Sequence, residues 1–147
     1  MQQDNIPLPD LAATEALAKS VAAILRMRDV VALSGDLGSG KTTFARALLQ
    51  ARGVTCDVPS PTFTLLQSYE IGGLLISHFD LYRLKSADEL DEIGWDDALA
   101  DGAVMVEWAE RAANRLPQER LELHFSIDAV GAHHCRVEKH GSWVGRF

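Results

Sequence analysis

Cysteine is scarce in this chain: Cys56 and Cys135 are the two thiols in 147 residues. Two cysteines cannot build a disulfide framework and fit no zinc spacing, so a reduced, cytoplasmic setting is expected. No uninterrupted apolar run comes near the ~20 residues that a membrane span needs; Val30-Val31-Ala32-Leu33 is typical. The start, Met1-Gln2-Gln3-Asp4-Asn5, lacks the basic region and apolar stretch of a secretory signal. Internal repeats, low-complexity tracts and Gly/Ser or Pro linkers are missing too, and one domain over residues 1–147 is the simplest reading. Positive charge is short: 14 Lys and Arg stand against 21 Asp and Glu, a net charge of −7. A nucleic acid backbone is on balance repelled by such a surface, so any service to RNA would run through a partner that holds it.

What is present is ordinary globular usage, 47% hydrophobic and 24% charged, which excludes disorder and fibres. After Pro7-Leu8-Pro9 a helix is predicted from Asp10 or Thr14, with Leu17, Val21, Ile24 and Leu25 forming one apolar stripe. Val30–Ser34 reads as a strand buried on both faces. A glycine-rich loop follows, then a helix from about Lys41 to Arg52, with Gly53 placed to end it. Phe63 to Ile71 and Leu74 to Tyr82 flank Gly72-Gly73, a hairpin turn. Ser86-Ala87-Asp88-Glu89 has the form of a capping box. Ala103–Val106 is a second buried strand ending at Glu107, and the alternation of Leu121, Leu123, Phe125 and Ile127 marks a half-solvated one. Cys135–Lys139 is placed to pair with it across 128–134. Strands interleaved with helices, plus two hairpins, predict an α/β fold with a mixed sheet.

The strongest chemical signal is Gly35-Asp36-Leu37-Gly38-Ser39-Gly40-Lys41-Thr42, which fits G-x-x-x-x-G-K-[ST] at every fixed position. Glycines let successive backbone N–H groups turn inward around a phosphate, and the following helix offers its positive end to the same anion. Lys41 is placed for the β- and γ-phosphates and the Thr42 hydroxyl for Mg²⁺. Such a cradle needs an acid at a strand end, and Asp80 and Glu107 both qualify. One would ligate the metal, directly or through water, while the other positions the attacking water. Ser60-Pro61-Thr62-Phe63-Thr64 stands where many P-loop proteins carry a loop sensing the γ-phosphate; an ordinary proline turn is the plainer alternative. Trp108 reads as core or a partner contact. His133, His134, Cys135 and His140 suggest a metal cluster, but neighbours on a strand point to opposite faces and do not converge on one ion. His78 packs or orients Asp80, and Arg83 reaches either a phosphate or a surface acid.

Taken in order, Gly35–Thr43, Ser60–Leu65, His78–Leu84, Asp88–Gly94 and Val106-Glu107-Trp108 resemble the bacterial TsaE family. These are small ATPases of the tRNA threonylcarbamoyladenosine machinery. The resemblance runs from about Pro7 to Ile127. It implies a P-loop NTPase-like three-layer fold with a mixed central sheet, which binds and slowly hydrolyses ATP with Mg²⁺. The implied partner is the TsaB–TsaD complex, which modifies adenosine 37 of tRNAs reading ANN codons, with tRNA held only by those partners. On this resemblance Lys41, Thr42 and Thr43 serve the phosphates, with Leu37, Gly38, Ser39 and Gly40 forming the cradle. Glu107 matches the metal-site acid, while Asp80 and Trp108 match positions in activity motifs and Thr62 the phosphate-sensing segment. Thr14 and Pro9 match the region near the adenine. The family's last hairpin often carries Gly-Arg; here Gly131 is followed by Ala132, His133 and His134, so Arg136 or a histidine would replace that arginine. Competing readings are an ATP-gated scaffold without catalysis and a small-molecule kinase.

Overall fold

Unbroken burial decides where the centre of this fold lies. In the computed structural model, which describes residues 2–36, 38–55 and 65–147, Val30 to Leu33 are all buried. The elements in chain order are β1 (Gln2–Pro7), α1 (Leu11–Ile24), β2 (Val30–Ser34), α2 (Lys41–Ala51), β3 (Leu66–Ile71), β4 (Leu74–Asp80), α3 (Glu89–Glu92), α4 (Trp95–Asp101), β5 (Ala103–Glu107), β6 (Leu121–Ile127) and β7 (His133–Lys139). Short 3-10 helices cover Ala109–Arg115 and Gly141–Gly145. The strands form one seven-stranded sheet in the order β1-β7-β6-β2-β5-β4-β3. Its middle is parallel, β6-β2-β5-β4, and its flanks are antiparallel, so the sheet is mixed.

Each face of β2 supplies a different layer. Val31 and Leu33 pack with α1, α2 and Trp143, while Val30 and Ala32 pack with Phe79, Trp95, Ala98 and Ala112 on the other side. That two-sided cover explains why β2 and β5 are apolar at nearly every position. Helices on both faces of the sheet make the three layers of a P-loop NTPase-like α/β fold.

Several boundaries differ from the sequence expectation for local reasons. Asp10 caps α1, its carboxylate accepting the Ala13 N–H at 2.9 Å, so the helix starts ahead of Thr14. Of the segment predicted to begin β3, Phe63 and Thr64 lie outside the described residues, and the strand starts at Leu66. Strand β4 stops at Asp80, whose carboxylate turns back to accept the Tyr82 N–H at 3.0 Å. Ser86 holds a turn instead of capping a helix: its carbonyl accepts the Glu89 N–H and its hydroxyl the Asp88 N–H. The residues of β1 carry no apolar alternation; they become a strand because β7 pairs with them from Gln2↔Lys139 to Pro7↔His134.

Candidate functional site

The loop after β2 folds tightly enough that glycine is required. At Gly35 φ is +134°, and a Cβ there would stand 2.3 Å from the Phe125 carbonyl oxygen. Lys41 opens α2 and is buried; its ammonium donates to the Gly35 carbonyl and, at 2.9 Å, to that of Asp36. The same ammonium lies 4.1 Å from the centre of the Trp108 ring, a cation–π contact. Burial pushes the Lys41 pKa down, against the opposing pull of Glu107, Glu110, Asp80 and Asp36. The lysine is thus held at the mouth of its own loop by weak neutral acceptors, next to a helix N-terminus that attracts anions.

Two strand ends deliver the acids. In the parallel register of β4 and β5, Asp80 lies opposite Glu107. Both are almost fully buried. Thr42, on the first turn of α2, donates its hydroxyl to Glu107 Oε1 at 2.7 Å. The other carboxylate oxygen, Oε2, accepts from His78 Nε2 at 2.6 Å. So the histidine expected to pack or orient Asp80 bonds to Glu107 across the strands. Beyond β5, Trp108 adopts φ +57°, unusual for a large side chain, and packs at a tilt of 47° against Tyr82 with ring centres 5.0 Å apart. Glu110 follows, with its pKa raised by burial.

Lys41, Thr42, Asp80, Tyr82, Glu107 and Trp108 line one cavity of about 510 Å³, a size suited to a small-molecule ligand. Of the residues singled out from sequence, Pro9, Thr14, Gly38, Ser39, Gly40, Lys41, Thr42, Thr43, Asp80, Glu107 and Trp108 all line it. Leu37 and Thr62 lie outside the described residues. Gly131 sits in the β6–β7 turn at φ +84° and is not part of the lining. His133, two residues on, does line it, with Nδ1 3.3 Å from the Ser39 carbonyl oxygen. Tyr82, from the His78–Leu84 motif, also joins the wall with Leu8, Asp10 and Leu11, none of them expected from sequence to take part in the site.

The cavity fits a phosphate-bearing ligand with a divalent cation. The Ser39 hydroxyl is buried with no hydrogen-bond partner among the described residues, and a Cβ on Gly38 would meet nothing within 4 Å. Ammonium, hydroxyl and carboxylates of the types that hold phosphate and Mg²⁺ converge here.

The four residues that suggested a metal cluster are dispersed. His133 faces the cavity, His134 Nε2 bonds Asp128 Oδ2 at 3.0 Å, and the Cys135 thiol is buried and pushed up to about 12. His140 instead meets Glu122 and Glu138, ligand atoms of the three lying within 4.8 Å of one another. Those carboxylates are already answered: Arg120 Nε is 2.5 Å from Glu122 Oε1, and Arg136 pairs with Glu138. Among the described residues no helix is long and apolar enough to cross a membrane.

Comparison with known proteins matches this arrangement to one family. The chain is similar to the tRNA threonylcarbamoyladenosine biosynthesis protein TsaE of Bacillus subtilis, 43% identical over 111 residues, 75% of this chain and 69% of that one. It is 40% identical to the protein of the same name from Rickettsia felis over 115 residues, 78% of this chain and 67% of the relative. A crystal structure of Bacillus subtilis YdiB superposes with a TM-score of 0.78 at 32% identity, covering 95% of this chain and 87% of that one. The model of the family described as threonylcarbamoyl adenosine biosynthesis protein TsaE matches residues 8–135, and the chain belongs to that family.

Proposed function

We propose that this chain binds ATP with Mg²⁺ in the cavity above α2 and hydrolyses it slowly. In this reading it serves the TsaB–TsaD complex in threonylcarbamoylation of adenosine 37 of tRNA. The observation that carries the nucleotide reading is the hydrogen bond of 2.7 Å between Thr42 and Glu107, beside the Lys41 ammonium. It joins the P-loop hydroxyl to a strand-end acid, the pairing that phosphate-bound Mg²⁺ requires. The place in tRNA modification rests on family membership.

Each residue then has a task that follows from its position. Lys41 exchanges the Gly35 and Asp36 carbonyls for phosphate oxygens, a gain because charge-assisted hydrogen bonds are the stronger kind. Gly38 and Gly40 offer backbone N–H groups, Ser39, whose N–H bonds the Asp36 carbonyl, offers its buried hydroxyl, Leu37 belongs to the same cradle, and Thr43 continues the helix end. Thr42 and Glu107 hold the cation, which when bound draws charge from the β- and γ-phosphates. Asp80, buried opposite Glu107, orients the attacking water. Pro9, Thr14 and His133 form the wall facing the nucleoside, and Thr62 serves the γ-phosphate. Trp108 closes the cavity beside Lys41. With net charge −7 the chain leaves tRNA to its partners.

The test is the ATP hydrolysis rate of the purified chain, alone and with TsaB–TsaD. A slow basal rate, raised by the complex and lost in Lys41→Ala, is expected. Glu107→Gln should weaken the Mg²⁺ dependence more than nucleotide affinity; if Asp80→Asn does so instead, the two acids exchange roles. Modification that proceeds unimpaired with a hydrolysis-dead variant would replace catalysis by ATP-gated scaffolding. No hydrolysis and no association with the complex would overturn the proposal.

A further inference from the structure

His78 is fully buried, yet its side chain makes a single hydrogen bond among the described residues. It precedes Asp80 by two positions on β4 and shares its face, opposite Met105 in the register with β5. Its Nε2 lies 2.6 Å from Glu107 Oε2, and its Nδ1 is buried without a partner among the described residues. A carboxylate has no hydrogen to give, so Nε2 is the donor. An unsatisfied buried polar atom is a burden that a leucine in the same place would avoid. Stability alone therefore does not account for a histidine here.

Glu107 shows what the histidine secures. Its two oxygens are divided: Oε1 takes the Thr42 hydroxyl and Oε2 takes His78. With one partner alone the carboxylate could turn about its last torsion, which is broad and soft in glutamate. It would then be drawn to the Lys41 ammonium, on which it acts more strongly than the other nearby acids do. Two partners on opposite oxygens fix the plane.

We propose that His78 is a positioning residue for the cation site. By donating Nε2–H to Glu107 Oε2 it keeps Oε1 on Thr42, so that a divalent cation meets a preset hydroxyl–carboxylate pair. The assignment rests on the reading of Glu107 as the metal-site acid. It also gives the His-x-Asp spacing of β4 a division of labour, with His78 serving Glu107 and Asp80 lining the cavity. Hydrogen-bonded supports of this kind orient metal-binding carboxylates in general.

Two amide substitutions separate the hydrogen bond from the mere filling of space. Glutamine places an N–H near the position of Nε2, and asparagine places one near Nδ1, at similar polar cost. The readout is Mn²⁺ affinity by electron paramagnetic resonance, in the presence of a non-hydrolysable ATP analogue, beside analogue affinity without metal. His78→Asn should weaken Mn²⁺ binding about 10- to 100-fold, the usual scale for losing such a support, with little change in metal-free nucleotide affinity. His78→Gln should restore most of that loss. In a Glu107→Gln background, His78→Asn should add nothing further. Equal behaviour of the two amides, with Glu107→Gln still weakening Mn²⁺, would overturn the role of His78 and leave Glu107 standing. Unaltered Mn²⁺ affinity in Glu107→Gln would instead remove the acid itself. Imidazole ¹⁵N shifts of the wild-type protein test the geometry whether or not the variants fold. A proton on Nε2 is expected, and a bare Nε2 would overturn the proposal.

Discussion

Gly35 and Gly38 both sit at positive φ, but a methyl group would meet different surroundings at each. At Gly35, φ +134° is reserved for glycine, and the added carbon would press on the Phe125 carbonyl and the Ser39 hydroxyl. Gly35→Ala should therefore cost about 3 kcal/mol or more, combining backbone strain with overpacking. At Gly38, φ is +78° and the space is open, so Gly38→Ala should cost only the left-handed conformation, about 1–2 kcal/mol. Urea unfolding midpoints of the two variants check the contrast; equal losses would mean that contact with β6 does not constrain the loop. Residues such as Lys41 and Thr42 can be read from sequence because the loop that positions them is contiguous. His133 could be offered only as one of several replacements for an arginine, since which of them reaches the cavity is decided by the pairing of β7 with β1 and by the Leu8 N–H bonding the His133 carbonyl. Gly131 draws attention by its resemblance to a motif, yet the turn holding it lies outside the cavity lining.

Among the elements, the β6–β7 hairpin concentrates charge on one face. Its register sets Glu122 directly against Glu138, a like-charge pair that destabilises a sheet unless cations answer it. Arg120 and Arg136 supply that charge, and His124 and His140 add hydrogen bonds to the same two carboxylates. The hydrogen bond from His124, with support from Arg120, brings the Glu122 pKa down to about 2 from an ordinary 4.5. Since the folded value lies below the unfolded one, the native state binds fewer protons between these limits. The resulting stability is present above about pH 4.5 and is lost as pH falls toward about 2. Glu122→Gln should flatten this acid limb, so its urea midpoint should drop less than that of the wild type on acidification. A parallel fall in both proteins would assign the acid sensitivity elsewhere. The two hairpins and the buried strands could be anticipated because alternation, apolar runs and the Gly72-Gly73 turn are local signals. Strand β1 and the last 3-10 helix could not, because their order comes from partners far along the chain. β1 leans on β7, and the final helix is held by Trp143 in the core and by Arg146 gripping Asp29 through two hydrogen bonds.

For the molecule as a whole, the sheet places every described part of the candidate site at one end. The loop after β2, the ends of β4 and β5, the approach to α1 and the start of β7 all open onto a single cavity. Ligand binding there should consequently report on global stability, because the groups it engages come from both ends of the sequence. A ligand present at 100 times its dissociation constant stabilises the native state by about 2.7 kcal/mol when the unfolded chain does not bind it. For a chain of this size each kcal/mol raises Tm by about 2–4 °C, so Mg²⁺ with a non-hydrolysable ATP analogue should raise it by about 5–10 °C. Removing the Lys41 ammonium deletes hydrogen bonds to a charged group, worth about 1.5–3 kcal/mol, or roughly 10- to 100-fold in affinity. At the same ligand concentration Lys41→Ala would then retain about 0.4–1.4 kcal/mol of stabilisation, a shift of about 1–6 °C. Differential scanning calorimetry distinguishes the two cases, with the ligand-free melts as reference. A shift as large in Lys41→Ala as in the wild type would place the nucleotide away from the P-loop, whatever the hydrolysis rate.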